Sequence, residues 1–111
     1  MTAIYVDHVN GARLLSEAVS AMAPFWEQEY ANPYSIHRAG QHARQAIETA
    51  RMRVARLLGA DAREIIFTSS GTEANNVAIK GVIGTKRHIP CHIITSAVEH
   101  HSVLNVCKAL E

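Results

Sequence analysis

Ser69, Ser70, Gly71, Thr72 and Glu73 sit in the stretch FTSSGTEANN, residues 67–76, between the apolar run Ile65-Ile66-Phe67 and a segment with helical spacing. Small hydroxyl residues and a glycine at such a junction can hold an anion. The first amides of a helix point outward without partners, and the helix dipole favours negative charge there. Gly71 lets the backbone approach a ligand closely, and Thr72 adds a hydroxyl donor. The stretch lacks the lysine of a Walker loop and the paired glycines of a dinucleotide fingerprint. On spacing alone, plain helix capping by Ser70 or Thr72 explains the same residues and stays open.

A second candidate is Ala97-Val98-Glu99-His100-His101, after a second apolar run. A histidine there can stack on a flat ring or move a proton near neutral pH. It can also cap a helix or stand solvated. Two loops at the carboxyl ends of neighbouring strands, one suited to an anion and one to a ring, describe a phosphorylated aromatic cofactor.

The elements that must position these residues follow from the spacing. Residues 4–6 are a short strand or an extended entry, and Asn10-Gly11 marks a turn. A helix starts near Ser16 as its N-cap, and Asn32-Pro33 breaks the chain. The long helix that follows, capped by Ser35, carries an apolar stripe through Ile36, Ala39, Ala43, Ala46, Ile47, Ala50, Val54, Leu57 and Leu58. Gly59 ends it at C′. Residues 61–63 form a turn. Residues 64–68 are predicted as a buried strand, residues 72–80 as a helix punctuated by Gly81 and Gly84, and residues 86–91 as a loop. Residues 92–95 are predicted as a second strand, and a last helix runs from about His101 to the end. Strand, helix, strand, helix predicts an α/β fold with a mostly parallel sheet. The expected division is an N-terminal arm with the first helix over residues 1–34, then the long helix with an incomplete βαβα portion over residues 35–111. The apolar last helix with no cap after Glu111 suggests the front of something longer.

The composition excludes several classes. The 111 residues are 48% hydrophobic with a net charge of +1, so a disordered tail and a basic nucleic-acid binder are both excluded. No apolar run is long enough for a bilayer, and the start lacks a secretory signal. Two cysteines, Cys91 and Cys107, predict reduced thiols and a cytoplasmic protein. Cys107 is expected as a buried, inert thiol. Cys91, His92, His100, His101 and Cys107 offer a metal-binding alternative, but they lack the paired spacing of a structural zinc site.

Several linked motifs in one order carry a resemblance: residues 32–40 (NPYSIHRAG), 57–60 (LLGA), 64–76 (EIIFTSSGTEANN), 78–81 (AIKG) and 92–104 (HIITSAVEHHSVL). Together they span nearly the whole chain. The chain resembles the N-terminal part of the cysteine desulfurases, in the class V branch of fold-type I pyridoxal phosphate (PLP) enzymes. The resemblance implies that residues 35–111 begin a PLP-enzyme large domain. It implies that Gly71 and Thr72 hold the phosphate of pyridoxal 5′-phosphate, and that His100 stacks on its ring and helps move protons. Residues 32–37 would form a loop near the active-site entrance and the dimer contact, and Glu73 would brace the phosphate loop. His101 is assigned no role.

The implied reaction takes sulfur from L-cysteine, leaves L-alanine, and passes the sulfur through an enzyme persulfide to an acceptor such as an iron–sulfur scaffold. A homodimer is implied, with no nucleic-acid or membrane partner. Two departures stand out. His8-Val9-Asn10-Gly11-Ala12-Arg13 replaces the family's threonine-rich turn ending in proline, on the substrate side, so substrate identity stays open. Arg13 could meet a carboxylate there or stand solvated. The family's cofactor-linking lysine, its pyridine-pairing aspartate and its persulfide cysteine have no counterpart here, so no turnover is expected of these residues alone. The alternatives are another class V enzyme, such as a selenocysteine lyase or an aminotransferase, and a non-catalytic truncated product.

Overall fold

The computed structural model describes residues 4–85 and 90–111. Among the described residues are four α-helices: α1 Ser16–Glu27, α2 Arg38–Leu58, α3 Gly71–Thr85 and α4 His101–Lys108. A 3-10 turn, Ala62–Glu64, follows α2. The chain divides into two compact units, Met1–Ile65 and Ile66–Glu111.

In the first unit, the entry segment turns at residues 7–11, where the Tyr5 hydroxyl lies 3.0 Å from the Asp7 carbonyl and 2.9 Å from that of Gly11. Leu15 occupies the N-cap of α1 without a side-chain hydrogen bond, so the expected Ser16 cap is not formed. The α2 cap is His37 rather than Ser35: its Nδ1 accepts the Gly40 amide at 3.2 Å. Ser35 instead closes a turn, its amide donating to the Asn32 carbonyl at 3.0 Å. The Asn32 side chain accepts the Tyr34 amide at 2.9 Å. Gly40 lies under this turn. A Cβ there would come within 2.5 Å of the Ser35 carbonyl oxygen and 2.7 Å of that of Asn32.

The end of α2 is as the sequence expects. Gly59 is left-handed at φ 66°, and the Ala60 amide reaches back to the Ala55 carbonyl at 2.9 Å, the pattern of a Schellman stop. Asp61 then caps the 3-10 turn, with Glu64 reaching back to the Asp61 amide at 2.8 Å. The Arg51 guanidinium donates to the Ile65 carbonyl and ties this corner to α2.

In the second unit, α3 and α4 pack on each other. Helix α3 runs through Gly81 to Thr85, past its expected end near residue 80. The helical hydrogen-bond pattern there outweighs the weak propensity of glycine, a cost of about 1 kcal/mol. Helix α4 stops at Lys108.

The predicted strands are the main correction. No strand occurs among the described residues. Glu64 belongs to the 3-10 turn, and residues 65–68 and 92–95 form no regular strand. The expected burial fails too, with Ile66 66% and Ile94 92% exposed. An apolar, β-branched run favours extended chain, but a strand also needs a neighbour to complete its ladder. Among the described residues, neither run is part of a regular strand ladder. The expected loop at residues 86–91 lies mostly outside the described residues.

Among the described residues, few side chains are buried: Ala43, Ala55, Val106 and Ser102. The accessible surface is 10010 Å². Two separate compact bodies of these sizes would together expose only about 7,300 Å². The excess therefore lies within the units, and much of the α2 stripe, including Leu57 and Leu58, faces outward.

Candidate functional site

The site is built at the N-terminus of α3. Ser70 caps the helix: its hydroxyl accepts the Glu73 amide at 3.2 Å. Glu73 reaches back one residue further than an ordinary capping box. Its carboxylate accepts both the amide of Ser69, at 2.6 Å, and its hydroxyl, at 2.7 Å. The Thr68 hydroxyl donates to the Ser70 carbonyl at 3.2 Å. The loop is thus braced from both sides, which is the role expected of Glu73.

This bracing bears on the capping alternative. Ser70 does cap the helix, and doing so engages only the Glu73 amide. Among the described residues, the amides of Ser70, Gly71 and Thr72 and the Thr72 hydroxyl have no protein partner. Nothing lies within 4 Å of a Cβ built on Gly71. Outward-pointing donors around a small open space suit the phosphate of a cofactor. The chain's own residues therefore fit the group that the sequence implies.

The Ser69 hydroxyl, and then the Ser69 amide, hold the Glu73 carboxyl below its usual range. A depressed carboxyl stabilises the fold above its unfolded value of 4.5, and that contribution is lost as pH falls through the lower folded value. Acidification through that lowered value is expected to protonate Glu73 and free Ser69. Faster exchange of the Ser69 amide with solvent would show it, and Glu73→Gln should weaken this pH dependence.

His100 caps α4. Its Nδ1 accepts the Ser102 amide at 3.1 Å and lies 2.8 Å from the Ser102 hydroxyl. That hydroxyl accepts from the Asn75 side chain of α3 at 2.8 Å. Asn75 lies three residues after Thr72, on the same face of α3. His100 is therefore tied to the first turns of the helix that begins at Gly71. The motif comparison assigned no part to Asn75 or Ser102. Their side chains meet 27 positions apart in the chain, beyond the reach of local spacing. His101 lies beside His100, with ring centroids 6.2 Å apart.

The remaining candidates are dispersed. Among the described residues, no three histidine, cysteine or acidic side chains come together to hold a metal ion. Cys91 is exposed and Cys107 half-buried, less covered than expected. No described helix is long and apolar enough to cross a membrane.

The start of α3, with its open donors, is linked through Asn75 and Ser102 to the His100 imidazole, and the comparisons with known proteins give the class of protein that carries these residues. Residues 4–111 match the aminotransferase class-V family, and the chain belongs to it. It is 49% identical over 108 residues to the cysteine desulfurase IscS of Dictyoglomus turgidum, covering 97% of this chain and 27% of that protein. Among solved structures it is similar to a NifS-like protein, with a TM-score of 0.81 at 37% identity, over 89% of this chain and 27% of that one. It is also similar to SspA in complex with cysteine, with a TM-score of 0.85 at 37% identity, over 96% of this chain and 30% of that one. The chain spans little more than a quarter of the length of these relatives.

Proposed function

We propose that this chain is the N-terminal, phosphate-holding portion of a PLP-dependent cysteine desulfurase. The observation that carries the proposal is the set of open donors at Gly71 and Thr72, in a chain of the class-V family whose relatives are named cysteine desulfurases. Gly71 and Thr72 bind the cofactor phosphate through their amides and the Thr72 hydroxyl. The Glu73 brace holds those amides facing outward. His100 presents its ring face to the pyridine and its Nε2 to protons moving near it. Bound PLP supplies an electron sink for bond cleavage in an amino acid.

The overall reaction converts L-cysteine and a protein thiol into L-alanine and a protein persulfide, with one sulfur atom transferred. Neither Cys91 nor Cys107 is assigned that thiol. The lysine and the cysteine of the reaction come from residues beyond this chain. A homodimer, hand-off to an iron–sulfur scaffold and a cytoplasmic setting belong to the same proposal.

The test is a PLP titration of the intact natural gene product, followed by its visible absorbance, with an assay for alanine formed from L-cysteine. Stoichiometric uptake with alanine release is expected. Absence of cofactor uptake would overturn the proposal. Uptake with selenocysteine cleavage only, or with amino transfer only, would move the assignment to another class V reaction.

A further inference from the structure

We propose that Asn75 and Ser102 are positioning residues that fix the tautomer and orientation of the His100 ring. The inference rests on the functional reading above only for what the ring faces; the relay itself stands on the geometry.

The donors settle the direction of each bond. A backbone amide can only donate, so the Ser102 N–H, 3.1 Å from His100 Nδ1, requires a lone pair on that nitrogen. The Ser102 hydroxyl, 2.8 Å from the same atom, must then donate as well. Asn75 leaves it free to do so, because the Asn75 amide occupies the hydroxyl oxygen as a donor at 2.8 Å. The sequence of donation runs from Asn75 to Ser102 to His100. The neutral imidazole then carries its proton on Nε2, the ring atom turned away from the α4 cap.

Burial supports the same role. Ser102 is 8% exposed, the only buried polar residue among the described side chains. A buried hydroxyl with both its donor and its acceptor engaged has one orientation, and it transmits that orientation to its partner. Asn75 belongs to α3 and Ser102 to α4. The relay therefore references the ring to the helix that carries Gly71 and Thr72. A histidine held only by its own helix cap would lack that reference.

The experiment uses the intact natural protein labelled with ¹⁵N-histidine, with the His100 signal assigned from a His100→Gln variant. Spectra are recorded at alkaline pH, with the imidazole neutral. The wild type is expected to show the Nε2–H form in excess by roughly tenfold or more. Ser102→Ala should lower that ratio several-fold, and Ser102→Thr, which keeps the hydroxyl, should restore it. Asn75→Asp should also lower it, because a carboxylate would draw the Ser102 proton away from Nδ1. This second variant keeps the test decisive if Ser102→Ala does not fold.

A mixed tautomer in the wild type, or an unchanged ratio in both Ser102→Ala and Asn75→Asp, would overturn the relay. PLP titration of the same samples judges the functional reading separately. Failure of the wild type to take up cofactor would remove what the ring faces, while the tautomer ratios would still decide the relay.

Discussion

Thr72→Ala combined with His100→Asn is expected to strip the cofactor from the intact protein. Among the described residues, the Thr72 hydroxyl has no protein partner, so its loss breaks no bond there. A hydrogen bond to a charged group contributes about 1.5–3 kcal/mol. An aromatic ring contact adds about 0.5–1.5 kcal/mol. Together they predict that affinity for PLP falls by roughly two orders of magnitude.

Asparagine is the better replacement at position 100 because His100 also caps α4. Alanine there would remove a cap that contributes about 1 kcal/mol and so confuse binding with folding. His100→Ala is expected to show the same cofactor loss with added instability. Equilibrium titration by absorbance, beside thermal unfolding, reads both effects. Full retention of cofactor and of cysteine turnover in the double variant would remove these two residues from the site.

Gly40→Ala is expected to destabilise the first unit by about 1–3 kcal/mol, the usual cost of overpacking. Helix propensity argues the other way, since alanine is favoured over glycine by about 1 kcal/mol in a helix interior. The geometry decides the sign. The new methyl would meet the Ser35 and Asn32 carbonyl oxygens at 2.5 and 2.7 Å, and both are backbone atoms that cannot rotate away. The turn at residues 32–35 must move, and the Ser35 amide would lose its bond to Asn32.

Gly71→Ala supplies the contrast. The same methyl at the start of α3 meets nothing within 4 Å, so stability should stay within about 0.5 kcal/mol. It would instead occupy the space proposed for the phosphate and reduce PLP uptake. Denaturant unfolding and exchange of the Ser35 amide distinguish the two variants. A Gly40→Ala protein as stable as the wild type would refute the packing argument.

Much of the local structure was legible in the residues. The glycine stop at Gly59, the Asp61 turn and the long alanine-rich helix all rest on interactions within a few positions, which spacing encodes directly. The hydroxyl-rich start of α3 was legible for the same reason, while the brace by Glu73 was implied only by the family resemblance. The family was legible too, because several motifs in one order carry far more information than any single one.

Other features depended on contacts that no local pattern contains. The two predicted strands needed partners to become strands, and an apolar run cannot state whether a partner is beside it. Residue type pointed to Ser35 as the cap of α2, and the turn over Gly40 instead gave that role to His37. The Asn75–Ser102–His100 relay joins residues on two helices. By itself the sequence determined the helices, the glycine stop of α2 and the open donors at the start of α3, because those are short-range hydrogen-bond problems. Only the packing of α3 on α4 decided that the His100 cap is joined to α3 through Asn75 and Ser102, because those two side chains meet only after the chain has folded.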